Sequence, residues 1–203
     1  MERTQVPAVA PPRSRMPPAE RRALVVAAGA RLFAERGYAG TTIEDIASAA
    51  GVTKPIVYRH FDSKKDLYLT LLAKHREDLP TFLEGAAPAI GDDFEGTMRE
   101  VLRGWFEYVR ANSHGWEMLF RDGTGDDEIR AFRRAVSLRA REVLAGFIVD
   151  SGGGMPSEQV EPSAELLRSG LAGLAIWSID NPDAEPSALV EVALRIVGAA
   201  LRP

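Results

Sequence analysis

The chain has 203 residues and no cysteine, with 45% hydrophobic and 27% charged residues, which is ordinary for a globular protein of one large or two small domains. The absence of disulfides favours a reducing cytoplasm. The longest apolar runs, Leu24–Ala30 and Leu171–Trp177, fall short of the roughly 20 residues of a membrane span. We expect a soluble cytoplasmic protein without a signal peptide or membrane partner.

The net charge of −4 is unevenly distributed along the chain. Residues 1–75 hold 12 Lys and Arg against 7 Asp and Glu, whereas residues 76–203 hold 13 against 22, so the two parts carry +5 and −9. Excess positive charge near the N-terminus suits attraction to the phosphates of a nucleic acid. An accidental split is the alternative, because charge asymmetry alone is a weak signal.

The N-terminal quarter begins with a proline-rich stretch, residues 1–16, which predicts a disordered arm. The segment Pro18–Arg36 then predicts a helix, since Leu24, Ala28 and Leu32 recur every four residues and Gly37 can end it. This helix is expected to pack over the two that follow.

The stretch from Thr41 to Phe61 predicts two short helices joined by a tight turn. In the first helix, apolar residues at i, i+3, i+4 and i+7 share one face, namely Ile43, Ile46, Ala47 and Ala50. Thr42 and Asp45 have the spacing of a capping box, and Gly51 can end this helix in the left-handed conformation. This is the pattern of a helix-turn-helix.

The second short helix has one apolar side and one side rich in hydrogen-bond donors. Thr53 can cap it, Pro55 fits its first turn, and Val57 with Phe61 points to the core. The other side can donate to phosphates or base edges, so this helix is predicted to contact DNA. A fourth helix, Ser63–Leu79, is predicted to connect this domain, residues 17–75, with the rest of the chain.

Residues 76–203 show helical periodicity throughout and predict a larger helical domain. Its last two predicted helices, Pro162–Asp180 and Ser187–Leu201, are apolar on more than one face, which favours a four-helix dimer interface. Burial of both helices inside a monomer is the alternative. The residues predicted for the interface are Leu167, Leu171, Leu174, Leu189, Val192 and Ile196.

Aromatic residues of the larger domain are candidates for lining a cavity that binds a small molecule, as in other helical bundles. At helical spacing they can equally be ordinary core residues. These candidates are Trp105, Tyr108, Trp116, Phe120, Phe132 and Trp177.

A catalytic function finds little support. The histidines, His60, His75 and His114, lie far apart in the sequence, and neither a metal-binding motif nor a nucleophile elbow occurs. We predict no enzyme activity, no metal and no cofactor. The remaining alternative is a ligand-binding or catalytic helical bundle whose N-terminal domain is incidental.

Residues 20–75 resemble the TetR family of bacterial transcriptional regulators, because short motifs of that family occur in order and at the family's spacing. They are Ala30-Arg31-Leu32-Phe33, Gly37-Tyr38, Thr41-Thr42, Asp45-Ile46-Ala47, Ala50-Gly51-Val52, Tyr58-Arg59-His60-Phe61 and Ser63-Lys64-Lys65-Asp66-Leu67. The resemblance implies an all-α fold of about nine helices, with an N-terminal three-helix DNA-binding domain and a larger effector-binding and dimerisation domain.

The same resemblance implies a homodimer, predicted to be a repressor, that binds a palindromic operator in double-stranded DNA and is released by a small-molecule effector. Four residues match family positions that contact phosphates: Thr42, Tyr58, His60 and Lys64. Five match the surface that meets bases or adjacent backbone: Thr53, Lys54, Pro55, Ile56 and Arg59. Pro55 departs from the family pattern, in which glycine is frequent. Other interpretations are a core position for Tyr58 and ordinary surface positions for His60 and Arg59.

Overall fold

The computed structural model describes residues 16–76, 78, 81–82, 93–121, 123, 125–150 and 154–201. Within these ranges the chain forms nine α-helices and no strand, so the all-α prediction is confirmed. The predicted arm falls outside the described residues, apart from Met16. The helices are α1 (Pro18–Arg36), α2 (Ile43–Ala49), α3 (Lys54–Tyr58), α4 (Lys64–Ala73), α5 (Phe94–Ala111), α6 (Ser113–Phe120), α7 (Asp127–Asp150), α8 (Ser157–Asp180) and α9 (Pro186–Leu201).

Helices α1–α4 enclose an N-terminal core whose largest fully buried side chains include Phe33, Ile46, Leu67 and Tyr68. Helix α4 ends at Ala73, earlier than the predicted Leu79, and a turn over residues 74–76 follows it. Leu79 itself lies outside the described residues.

A second core lies between α5, α7, α8 and α9, and it contains Leu102, Phe106, Leu144 and Leu194. Helix α8 starts at Ser157 and continues through Pro162, although proline cannot donate the backbone hydrogen bond of a helix interior. Among the described helices, none combines the length and the apolar character that crossing a membrane requires.

Helices α6 and α7 join the two cores. Met118 and Leu119 of α6, with Ile129 of α7, belong to the N-terminal core. The Tyr68 hydroxyl donates to the Met118 carbonyl at 3.2 Å, and Arg133 Nη2 donates to the same carbonyl at 2.6 Å. The N-terminal core is therefore completed by residues from beyond residue 75, while a domain boundary at that residue stays a prediction.

Candidate DNA-binding surface and ligand cavity

Helix α2 begins where the sequence predicts, because Thr42 and Asp45 cap it reciprocally. The Asp45 N–H donates to Thr42 Oγ1 at 3.1 Å, and the Thr42 N–H donates to Asp45 Oδ2 at 3.0 Å. The Thr42 hydroxyl also donates to this carboxylate at 2.6 Å, and that bond lowers the pKa of Asp45. The capping box is confirmed. A phosphate bound at Thr42 would have to compete with Asp45 for the exposed Thr42 hydroxyl.

The turn between α2 and α3 fixes the direction of α3. Gly51 has a φ of 65°, in the left-handed region that favours glycine, and the Val52 N–H donates to the Ala47 carbonyl at 3.0 Å. Val57 and Phe61 are 0% and 3% exposed. Because these side chains hold α3 against the core, the opposite side of α3 faces outward.

The outward side, here called the α3 surface, consists of exposed residues that the sequence predicts to contact DNA: Thr53, Lys54, Pro55, Tyr58 and Arg59. Tyr58 is 47% exposed, so the core alternative for this residue is wrong. Thr53 precedes α3 without a side-chain capping bond to it. The Arg59 guanidinium makes no hydrogen bond or ion pair with any described residue. Both polar groups are therefore available to a ligand.

Lys54 is a positively charged residue of the α3 surface, and its ammonium forms an ion pair that is screened by solvent. Its ammonium contacts Glu44 of α2 and lies 5.9 Å from the centre of the Tyr58 ring. The hydrogen bond between Lys54 and Glu44 raises the pKa of Lys54 and lowers that of Glu44. Both side chains are exposed, so a phosphate can compete with the carboxylate for this ammonium.

Three further predicted DNA contacts are less exposed than the α3 surface. Ile56 and His60 are half-buried, and Nε2 of His60 is buried without a partner among the described residues. The Lys64 ammonium donates to the carbonyls of Tyr38 at 2.8 Å and Thr41 at 3.0 Å. Lys64 thus holds the start of α4 to the segment before α2, and its phosphate contact stays a prediction.

Two of the cavities in the described part of the larger domain lie among its aromatic residues. The first has a purely apolar lining that includes Phe82, Met98 and Phe147, and the second adjoins Trp116, Phe120 and Arg168. Trp105 and Leu171 line both cavities. Their volumes are about 30 and 40 Å³, far below the roughly 300–1,000 Å³ of small-molecule sites, so each has room for only one or two water-sized molecules as it stands.

The six predicted cavity aromatics separate into three groups. Trp105, Trp116 and Phe120 line the second cavity, whereas Tyr108 stacks on Trp105 with 6.4 Å between ring centres. Phe132 and Trp177 line neither of these two cavities, and their contact with an effector stays a prediction. Phe132 packs against the N-terminal core because α7 starts beside it, and Trp177 is 47% exposed on the outer side of α8.

Polar residues that the sequence prediction missed also line the second cavity, namely His75, Asp78 and Arg168. His75 Nδ1 lies 2.9 Å from Asp78 Oδ2 and 3.1 Å from the Tyr108 hydroxyl; burial and Asp78 raise the pKa of Tyr108 well above its usual range. Arg168 pairs with Glu165 and lowers the pKa of Glu165 to about 2. Only the periodicity of α8 could have hinted that Arg168 faces inward.

The outer face of α8 and α9 carries exposed apolar and small residues at helical spacing. Leu166, Gly170, Gly173 and Trp177 are exposed at i, i+4, i+7 and i+11 of α8. On α9, the exposed residues Val192, Ile196 and Ala199 repeat the same spacing. We call these seven residues the outer stripe.

The outer stripe differs from the predicted dimer interface. Leu167 and Leu189 are 2% and 5% exposed and belong to the core of the protomer, so the structure corrects their assignment to an interface. Leu171 and Leu174 are half-buried against that core. Val192 and Ile196, at 44% and 48% exposure, have side chains that a second molecule could reach.

The N-terminal domain matches a known family. Residues 25–71, from α1 into α4, match the model described as bacterial regulatory proteins of the tetR family. The chain carries a TetR-family N-terminal domain. A relative over a longer stretch is the HTH-type transcriptional activator FasR from Mycolicibacterium smegmatis, 33% identical over 107 residues that cover 53% of this chain and 48% of the relative. The match thus spans about half the length of that curated relative.

The whole fold of the chain is similar to those of solved regulators. A TetR-like transcriptional regulator from Rhodococcus sp. RHA1 aligns with a TM-score of 0.73 and 22% identity, covering 92% of this chain and 98% of that one. AibR, solved in complex with isovaleryl coenzyme A and operator DNA, aligns with a TM-score of 0.64 and 20% identity over 86% of this chain and 96% of its own. At these identities the likeness establishes the fold.

Proposed function

We propose that the chain is a DNA-binding transcriptional regulator that binds a palindromic operator as a homodimer and is released by a small-molecule effector. The observation that carries the proposal is the α3 surface, which is held outward by a buried core within the segment that matches the TetR family. An α-helix fits the major groove of DNA, and the exposed Arg59 can pair bidentately with a guanine.

The outer stripe supports the homodimer. Its apolar side chains, such as Ile196 and Trp177, are about half exposed, and its glycines allow close approach of a second backbone. A symmetric pairing of α8 and α9 with their copies would place two α3 surfaces on one face of DNA. Half-sites about 34–36 Å apart, or a multiple of that distance, would then be read together.

The second cavity supports the effector site because it reaches towards the N-terminal domain. His75, in the turn after α4, lines this cavity, and Leu119 of α6 lines it while packing in the N-terminal core. A ligand that prefers one arrangement of these two residues would bias the position of α4, and with it the spacing of the two α3 surfaces. The AibR complex with a ligand and operator DNA illustrates both kinds of binding on one fold.

The direction of regulation is proposed as repression, following the family resemblance. The relative from Mycolicibacterium smegmatis is named as an activator, so the opposite direction has a specific observation in its favour. A reporter gene placed downstream of the selected operator decides between them. Lower expression in the presence of the protein supports repression, and higher expression refutes it.

The experiment that tests DNA binding is selection of bound sequences from random double-stranded DNA by the purified full chain. We expect a palindromic sequence whose affinity falls steeply with salt, because binding to phosphates releases counterions. Recovery of no preferred sequence would contradict the proposal and would favour a helical bundle that binds or converts a small molecule.

Arg59→Ala sharpens this experiment. We expect a loss of about 1–3 kcal/mol in operator binding together with relaxed preference at one base-pair position. The matched control is Arg31→Ala on α1, which removes an exposed arginine paired with Glu35 and leaves the α3 surface intact. A uniform loss over all sequences for Arg59→Ala would instead assign Arg59 to a phosphate.

A further inference from the structure

A groove on the protein surface lies between the two cores, with walls from α1, the end of α2, α4 and the start of α6. We call it the α1 groove. Its volume is about 700 Å³, within the roughly 300–1,000 Å³ of small-molecule sites, whereas the two cavities among the aromatic residues hold only about 30 and 40 Å³. A ligand in the α1 groove would contact helices of both the N-terminal and the larger domain.

The floor of the α1 groove is apolar. Val26 and Ala27 of α1, Leu71 of α4 and Ala111 at the end of α5 belong to it. The alanine side chains are short, so they leave room above the helix backbones. Contact with such a floor removes apolar surface from water, which favours a ligand with a hydrocarbon body.

The ionisable side chains among the described residues that line the α1 groove are all basic, although the whole chain has a net charge of −4. They are Arg31, Lys74, His75 and His114. Glu35 pairs with Arg31 and compensates its charge. The Lys74 ammonium donates at 3.2 Å to the uncharged Oδ1 of Asn112 and forms no ion pair with a described residue. Its positive charge is therefore left for an anion.

The imidazole of His75 adds a second polar group. Its side chain is 7% exposed, and Nδ1 is occupied by Asp78 and the Tyr108 hydroxyl. Nε2 makes no hydrogen bond with any described residue and is not shielded from solvent. It lies against Gly115, which lines the α1 groove and not the second cavity. In its protonated form, Nε2 can donate a hydrogen bond to a ligand in this groove.

We propose that the α1 groove binds an amphipathic organic anion. The hydrocarbon body of the ligand lies on the apolar floor, and its carboxylate accepts hydrogen bonds from the Lys74 ammonium and from His75 Nε2. Aliphatic and aromatic carboxylates belong to this class. The inference goes beyond the proposed function and does not depend on it, because binding in the groove requires neither DNA nor a second protomer.

The test uses the full chain without DNA and three probes that share one hydrocarbon chain: octanoate, octan-1-ol and octylammonium. Binding is measured by isothermal titration calorimetry at neutral pH. We expect octanoate to bind about fivefold more tightly than the alcohol and more tightly still than the cation, because the alcohol lacks the charge that Lys74 attracts and the cation is repelled. An octanoate affinity no higher than that of either other probe, or no octanoate binding, would overturn the proposal. Tighter binding of a glutamate-rich peptide would overturn it in favour of an acidic protein partner.

A bulky side chain on the floor then locates the site. Ala27→Phe places a phenyl ring in the α1 groove, at a residue whose side chain is exposed, so we expect octanoate affinity to fall at least tenfold. Ala19→Phe is the matched control, because Ala19 is exposed on the same helix and does not line the groove. Unchanged octanoate binding in Ala27→Phe would refute this site.

Substitution of Lys74 tests the charge. We expect Lys74→Met to weaken octanoate binding about fivefold and to leave the affinity for octan-1-ol within twofold. Lys74→Arg retains the charge and should bind octanoate nearly as well as the unaltered chain. Equal octanoate affinities in Lys74→Met and Lys74→Arg would refute the role of the ammonium. Should a variant fail to fold, the comparison of the three probes with the unaltered protein still decides.

Discussion

In helices α2 and α3 the core buries one apolar side, whereas helices α8 and α9 have a second apolar side that stays exposed. In α2 and α3 the large apolar residues occupy one side, and Ile46 and Val57 are fully buried. In α8 the adjacent leucines Leu166 and Leu167 are 69% and 2% exposed, because the helix is apolar on two sides. One core buries the large apolar side of α2 and α3. Helices α8 and α9 have a second apolar side that the protomer does not bury, which indicates a further partner.

Glycines show the same contrast. A side chain at Gly170 or Gly173 of α8 would meet no atom of the described chain within 4 Å, so these residues leave room on the outside. A side chain at Gly115 of α6 would overlap the imidazole of His75. The first kind of glycine leaves space that the proposed second molecule could occupy, and the second kind allows close packing within one molecule.

The largest expected effect comes from placing a charge on the outer stripe. Ile196→Asp would bury one carboxylate per protomer in the proposed dimer, at a cost of about 3–5 kcal/mol each, so we expect at least a hundredfold weaker dimerisation and poor operator binding. Sedimentation equilibrium measures the association constant. An unchanged association constant would contradict the prediction, because the outer stripe would then be an ordinary surface and not a dimer interface.

The matched control is Leu24→Asp, which places the same charge on α1 at a residue that is 40% exposed. We expect it to leave the association constant unchanged. Circular dichroism of both variants checks that the helices persist, so that dissociation is separated from unfolding.

Gly115→Ala should have the next largest effect. Alanine favours helix formation over glycine by up to about 1 kcal/mol, yet here its methyl group would overlap His75, which Asp78 and Tyr108 hold in place. We therefore expect a net loss of about 1–3 kcal/mol in the free energy of unfolding, measured by urea denaturation.

Gly146→Ala on α7 is the control for this prediction, because its side chain would meet no atom of the described chain within 4 Å. It should stabilise the protein by about 0.4–1 kcal/mol. The double variant Gly115→Ala with His75→Ala should be less destabilised than the two single changes added together, since the overlap is removed. Stabilisation by Gly115→Ala alone would mean that the imidazole moves aside freely.

Local rules predicted much of the N-terminal domain from the sequence. The Thr42–Asp45 cap, the left-handed Gly51 and the burial of Val57 each depend on residues within one or two turns, and each is confirmed. At the start of α4, Ser63 Oγ accepts from the Asp66 N–H and caps the helix, whereas the Asp66 carboxylate accepts from the Asp62 N–H and does not complete a capping box.

The larger domain was harder to predict because its helices have apolar residues on several sides. Periodicity identified the helices but could not say which side of α8 faces the core, and so the predicted interface included the buried Leu167 and missed the exposed Leu166. The position of Trp177 was missed for the same reason. The pairing of Arg168 with Glu165 beside a cavity depends on contacts between helices, which sequence spacing does not encode.

The smallest expected effect concerns Lys64, where stability and DNA contact can be separated. Lys64→Met keeps the apolar stem but removes the donors to the Tyr38 and Thr41 carbonyls, so we expect a loss of about 1 kcal/mol in unfolding free energy. Lys74→Met, at the other end of α4, removes the same charge and one bond to Asn112 and should cost less. If Lys64 also contacts a phosphate, the slope of log affinity against log salt falls by about 0.9 in Lys64→Met alone. An unchanged slope would mean that Lys64 stabilises the fold and does not contact a phosphate, because its ammonium stays bonded to the two backbone carbonyls. DNA contact in this region would then be made by the more exposed residues.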